Sequence, residues 1–382
     1  MMIMKSKVRG FTMVELMVGL TIGMITILAM VTVMITSEEQ KRATTSGMDA
    51  QVNGSLALAS MMREIEMAGY GFSSFPSFIG CKLENQYGGD PMGNTSLPDR
   101  LVPVMIFEGV KGAPDAIRAM SANKGSFSIP LNLIAPDYNP GDQFFTVQSI
   151  RGVKGPAKDA SGNIVGMGDL MVVAHSDTTL PCQVFEVTGT PEASQIPRAD
   201  NAKWNPNGFP NKIYKVSGNS GPVLINLGNA RDISYSISNS GDLVATRMGL
   251  SSDSSVTYSA STLFNNIVQL AALYGKDTNG DGSVDTWDKI TPKVDDNAAW
   301  LQIIAVRVAL VSRSTNREKL PVTFGNPEWN VGTADTVAGT KTCASGSGKC
   351  LTLDVKGLTD WNYYRYKVFD TVIPLRNMLW KS

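Results

Sequence analysis

The sequence predicts an α+β protein: one long N-terminal α-helix, membrane-spanning in its first half, packed on an antiparallel β-sheet in an enlarged β-rich body. Three observations predict it. Residues 11–36 form an apolar run with a single charge, Glu15. No proline occurs before Pro76, so a helix can continue past that run. From about residue 72 the apolar spacing changes from steps of three and four to steps of two. A long helix followed by many strands is the pattern of a helix laid across a sheet.

The chain opens with ten residues, MMIMKSKVRG, that are basic and have no apolar core of their own. The next stretch, 11–36, exceeds the roughly 20 apolar residues that cross a bilayer as a helix. The upstream cations keep its start on the cytoplasmic side. An ordinary secretory signal carries its small-residue cleavage site after the apolar stretch, whereas here a Gly10–Phe11 junction precedes it. Glu15 needs a partner or a purpose, because a carboxylate in hydrocarbon costs about 2.5 kcal/mol or more. Gly19 and Gly23, with Ala29 beyond them, allow close approach of a second helix.

Residues 37–42, SEEQKR, mark the exit into water. From there Met48, Val52, Leu56, Ala59, Met62 and Ile65 recur at helical spacing, so residues 37–71 read as an amphipathic continuation ended by Gly69 and Gly71. Such a stripe either packs on its own domain, which is the expectation, or binds a partner. Within 72–382, strands are expected at 101–107, 143–149, 170–174, 182–187, 223–227, 233–237 and 243–247, with two longer ones at 301–311 and 364–374. The proline-rich stretch 189–215 reads as an extended loop or insertion.

Lysine plus arginine and aspartate plus glutamate number 34 each. Loss of Lys5, Lys7 and Arg9 with the leader leaves 31 against 34, a net charge of −3. That balance offers no general basic surface for nucleic acid, and no recognisable motif binds one. No phosphate loop, dinucleotide fingerprint or zinc-hydrolase motif is present, and the lone His175, beside Ser176 and Asp177, cannot form a triad on one strand. An enzyme is not expected. Trp287, Trp300 and Trp361 read as core or strand-face residues rather than ligand platforms.

The four cysteines, Cys81, Cys182, Cys343 and Cys350, allow three pairings. The flexible ASGSGK between the last two favours Cys343–Cys350, with Cys81–Cys182 as the other; four reduced cysteines are the alternative. Asp277, Asn279, Asp281, Ser283, Asp285 and Asp288 place oxygen atoms at the alternating positions of an EF-hand-like calcium loop, with Gly282 at the sharp turn. Ser283 would offer its carbonyl. Asp288 stands where glutamate is usual. A solvated Asp/Asn/Gly turn is the other reading, and calcium is the expectation taken.

The leader's last residue and the first five of the apolar run, Gly10-Phe11-Thr12-Met13-Val14-Glu15, resemble the class III signal of type IV prepilins. The resemblance implies a type IV pilin-like fold, a cut after Gly10 by prepilin peptidase, and methylation of the new Phe11 amine. Glu15 becomes the fifth mature residue, able to neutralise a neighbour's Phe11 amine when helices pack in a low-dielectric bundle. Further on, Met62 to Gly71 is similar to the helix end of large minor pilins, and Gly168-Asp169-Leu170 with Cys182 to a strand pair there. Tyr274-Gly275-Lys276 with the 277–288 loop, and the tail from Tyr364 to Asn377, resemble the PilW type.

A PilW-type protein implies a low-abundance subunit that joins other minor pilins and the major pilin to prime pilus assembly, at the tip, supporting twitching motility and adhesion. A PilY-type tip adhesin is among the implied partners. The implied location is the inner membrane before assembly and the pilus after it. The alternatives are a J-type pseudopilin of type II secretion and a membrane-anchored calcium-dependent adhesin.

Overall fold

The computed structural model describes residues 10–84, 87, 99–124, 130–175, 181–198, 203–204, 221–333 and 337–379. Residues 1–9 of the leader and most of 199–220 lie outside them. One helix, Met13–Glu66, runs unbroken for 54 residues, about 80 Å at the usual rise. Its start is fixed by a capping box: Thr12 Oγ1 accepts from Glu15 N, and Glu15 Oε2 accepts from Thr12 N. Along the apolar half, the hydroxyls of Thr21, Thr26, Thr32 and Thr36 donate back to carbonyls one turn earlier, so each is satisfied within the helix.

Four antiparallel strands in the order Thr286–Asp288, Ile267–Lys276, Ile303–Arg313, Tyr366–Pro374 form the central sheet. A five-stranded antiparallel sheet, Val256–Phe264, Leu243–Leu250, Arg231–Ile237, Ala116–Ser121, Val104–Phe107, packs through the same core. A second five-stranded sheet has Cys182–Glu186, Leu170–Ala174 and Val223–Gly228 at its centre, and a three-stranded sheet around Lys349–Thr352 covers the far face of the central one. The fold is the expected long helix on a β-rich body. Strand 170–174 falls where the alternation placed it, and 301–311 starts later, because Leu301 ends a short helix, Asn297–Leu301.

Strand Ile267–Lys276, the middle of the central sheet, is absent from the sequence-based expectations. Its residues are buried almost throughout, Leu270, Ala272 and Tyr274 toward the helix side and Val268, Ala271 and Leu273 toward the three-stranded sheet. Burial on both faces leaves a continuous apolar run without alternation, and no Gly-Asp turn introduces it as one introduces the equally buried 170–174.

The helix docks on strand Tyr366–Pro374, but through a different face from the one expected. Ala50, Gly54, Ala57, Leu58, Met61 and Ile65 are the residues turned inward, whereas Met48, Val52 and Leu56 are 63%, 53% and 52% exposed. Ile65 alone of the expected stripe is fully buried. The reason is close approach: the Phe369 ring abuts Gly54, where any Cβ would collide with it, so the contact needs the smallest residue. Three polar ties flank it, Lys367 Nζ to Gln51 Oε1 at 3.0 Å, Arg376 to Glu66 at 3.0 Å, and Asn377 Nδ2 to the carbonyls of Met67 and Ala68. Both disulfides form as favoured, Cys81–Cys182 and Cys343–Cys350.

Candidate functional site

Phe11, Glu15, Gly19 and Gly23 succeed one another at four-residue steps and line one open face of the helix. Phe11 is 88% exposed, and the Glu15 carboxylate is held at the mouth of this face by Thr12, whose amide and hydroxyl both donate to Oε2 at 3.0 Å. Among the described residues, the side chains between Met13 and Ile35 pack on no other element of the chain. The two glycines leave a shallow trough into which a second helix can settle, with a carboxylate at its head. Met48, Val52 and Leu56 carry the apolar surface on beyond Arg42. Sequence reasoning had these three residues but assigned them to the wrong side; the signal it lacked was the row of small residues, Ala50, Gly54 and Ala57, that marks the closer contact.

The acidic loop lies at the far end of the central sheet from the membrane span. It is organised around two carboxylates. Asp277 Oδ1 accepts from Gly280 N at 2.6 Å and its Oδ2 from Gly282 N at 2.9 Å. Asp285 Oδ2 accepts from the amide and hydroxyl of Thr278 at 2.8 and 2.9 Å and from Asn279 N at 3.2 Å, which holds Asp285 below the usual carboxylate range. Asp281 Oδ1 accepts from Ser283 N at 2.7 Å, and Asn279 Nδ2 donates to Asp281 and Asp285. Gly282, at φ +84°, makes the expected turn.

Asp288 does not join this group. It sits on strand Thr286–Asp288, where it pairs with Lys276 Nζ at 2.8 Å and accepts from Ile290 N, with both charged side chains 12% exposed. The cross-strand register places Tyr274 opposite Asp288 and so brings Lys276 within reach, a neighbour that loop spacing cannot reveal. Among the described residues no three carboxylate, histidine or cysteine side chains stand together as a metal-holding group. The donor chemistry of the loop, all oxygen from five alternating residues, suits calcium; the closing ligand of the twelfth position is taken by a lysine.

The other singled-out residues have ordinary places. Trp300 is buried in the core with its indole N–H donating to Lys293 O, Trp287 and Trp361 pack partly buried against the far-face core, and His175 stands at the end of strand Leu170–Ala174.

A single long helix, exposed and apolar over its first half, headed by a capped glutamate and followed by a body of antiparallel sheets, is consistent with an α+β pilin-like fold. Comparison with known families agrees: residues 5–31 match the prokaryotic N-terminal methylation motif. Residues 233–377 match the model of the family described as type IV pilus-assembly protein W. The matched segment spans the central sheet, the acidic loop, the Cys343–Cys350 bridge and the docking strand. The similarities noted at 62–71 and 168–182 fall outside both matched segments. No curated protein and no solved structure matches the chain. The two matched segments are thus similar to a prepilin methylation motif and to a type IV pilus-assembly protein family.

Proposed function

We propose that this protein is a minor pilin of the complex that primes pilus assembly, placed at the tip, where it meets other minor pilins, the major pilin and a PilY-type adhesin in support of twitching and adhesion. The observation that carries the reading is the exposed apolar helix: among the described residues the side chains of 13–35 pack on no other element, and Met48, Val52 and Leu56 extend that surface further along the helix. A simple anchor needs only the first of these. A subunit extracted into a helical bundle needs both, because the upper half of the helix must then be covered by neighbours. The bulk of the body favours the tip, since a large subunit repeated along a shaft would crowd its neighbours.

Glu15→Ala tests it. A filament subunit carrying Glu15→Ala reaches the inner membrane and fails to enter sheared pili. A membrane-anchored adhesin is indifferent to the change, so normal incorporation would overturn the proposal. A J-type pseudopilin is separated by place: the chain would be recovered with the secretion apparatus and be absent from purified pili.

The acidic loop is proposed as a calcium site, with Asp277, Asn279, Asp281, Ser283 and Asp285 as the residues that would hold the ion and Asp288 outside the set. Calcium would supply charge neutralisation among clustered carboxylates and so stiffen the membrane-distal end of the sheet. Titration of calcium into the full chain in detergent, with Asp281→Ala as control, decides it; equal thermal stability with and without calcium in the wild-type protein refutes the site.

A further inference from the structure

We propose that the membrane-proximal rim of the body, residues 315–324 together with 361–366, rests on the lipid headgroups of the bilayer that the helix crosses. Twenty residues, 17–36, fill a hydrocarbon layer of about 30 Å at the helical rise of about 1.5 Å. This setting leaves Phe11 and Glu15 at the cytoplasmic headgroups and puts Ser37 at the opposite surface. Arg42 then stands about 9 Å beyond Thr36 and Ser46 about 15 Å beyond it.

The body joins the helix at that height. Ser46 Oγ accepts from Asn316 N at 3.1 Å and from the Thr315 hydroxyl at 3.2 Å. Below this joint, Leu320 and Arg42 line one cleft. Strand Tyr366–Pro374 rises along the helix, with Lys367 at Gln51, Phe369 at Gly54 and Asn377 at Met67, so the residues before Tyr366 are its membrane-proximal end. The loop is bonded to that end: Glu318 N donates to Tyr363 O at 2.9 Å, and Val322 N and Thr323 N donate to Asn362 O at 2.8 and 3.0 Å. The two segments therefore form one rim facing the surface from which the helix emerges.

Its side chains suit an interface. Phe324 is 83% exposed, more than any other large apolar side chain of the described body, and Leu320 is 74% exposed. Behind them stand Trp361 and Tyr363, the residue types that collect at headgroup level, with Arg317 stacked 3.8 Å over the Tyr363 ring. Arg317 pairs with Asp360 and Arg365 with Glu318, so the rim's cations are largely balanced from within. Insertion of Leu320 and Phe324, rather than net charge, carries the contact. Before assembly the rim holds the body at a fixed lean on the bilayer, and entry into a filament lifts it off.

The test uses the full chain in nanodiscs of phosphatidylcholine, alone and with added phosphatidylglycerol, at one protein per disc. A nitroxide label is placed through Phe324→Cys and, for comparison, through Ile290→Cys, an exposed position at the opposite end of the central sheet. Both side chains are exposed in the folded chain, so neither change removes a group packed in the body. The proposal expects a severalfold higher ratio of oxygen to water-soluble nickel-chelate accessibility at 324 than at 290 in both lipids. Adding Leu320→Ser to the 324-labelled chain lowers that ratio. Equal ratios at 324 and 290 overturn the proposal. A high ratio only with phosphatidylglycerol overturns the apolar account, and protection appearing only when a disc holds two copies assigns the rim to a second subunit instead.

Discussion

The ring of Phe369 lies against Gly54 so closely that a Cβ built on the glycine would fall 2.2 Å from Cε2 of the ring. Gly54 shares the face of the helix that meets the body with the fully buried Ala57, Met61 and Ile65. Met48, Val52 and Leu56 lie outside that face, exposed.

Gly54→Ala should therefore destabilise the protein despite alanine's better helix propensity. The ring would have to move, at a cost of about 1–3 kcal/mol for an overpacked core site. Denaturant melting of the full chain in detergent measures it. The double change Gly54→Ala with Phe369→Leu should recover part of the loss.

Val52→Ser should do the reverse. Its side chain is half exposed, so stability should change by no more than about 0.5 kcal/mol, as for other surface substitutions. Recovery of the chain in sheared pili should nonetheless fall, because the neighbour that covers this surface loses apolar contact. Unchanged recovery would remove the upper helix from the assembly interface.

The two disulfides should contribute unequally. Cys81–Cys182 closes a separation of 101 residues and Cys343–Cys350 one of 7. In the chain-entropy account, loops of those sizes differ by about a factor of two, roughly 4–5 against 2–2.5 kcal/mol. Pairwise replacement by serine, followed by thermal melting, tests the order.

Glu186 provides a pH signature. Burial raises its carboxyl above the ordinary value, opposed by the bond from Ser254 Oγ at 2.6 Å. A raised carboxyl favours the protonated folded state, so this stabilisation is complete below the unfolded value of 4.5 and is lost as pH rises through the folded one. Glu186→Gln, which keeps an oxygen acceptor for Ser254, should be more stable than wild type at neutral pH. The difference should vanish in acid.

Asp288 separates pairing from metal binding. Asp288→Ala leaves Lys276 nearly buried without its carboxylate, at a cost of about 3 kcal/mol. Any calcium response should survive that change and disappear with Asp277→Ala. A calcium response lost through Asp288→Ala alone would return this residue to the loop.

Much of the protein was legible without a structure. The basic leader, the apolar run and Glu15 are local features whose meaning depends on order along the chain, and hydrocarbon imposes its demand residue by residue. Strands 170–174, 182–186 and 223–228 were legible as short apolar runs between turn residues, although both their faces are buried. The loop's oxygen pattern was legible as spacing, though the partner of Asp288 was not.

Only the tertiary structure decided the rest. Strand Ile267–Lys276 loses its period because both of its faces are covered. The helix face was misassigned because glycine and alanine score as weakly apolar, yet they allow the shortest distance to the sheet. Lys276 finds Asp288 through cross-strand register, and the rim meets the helix at Ser46 across some 270 residues of chain. The apolar run and the capped Glu15 at its head were determined by the sequence because they rest on neighbours along the chain; the docking face and the Lys276–Asp288 pair were decided by packing between segments that only the fold brings together.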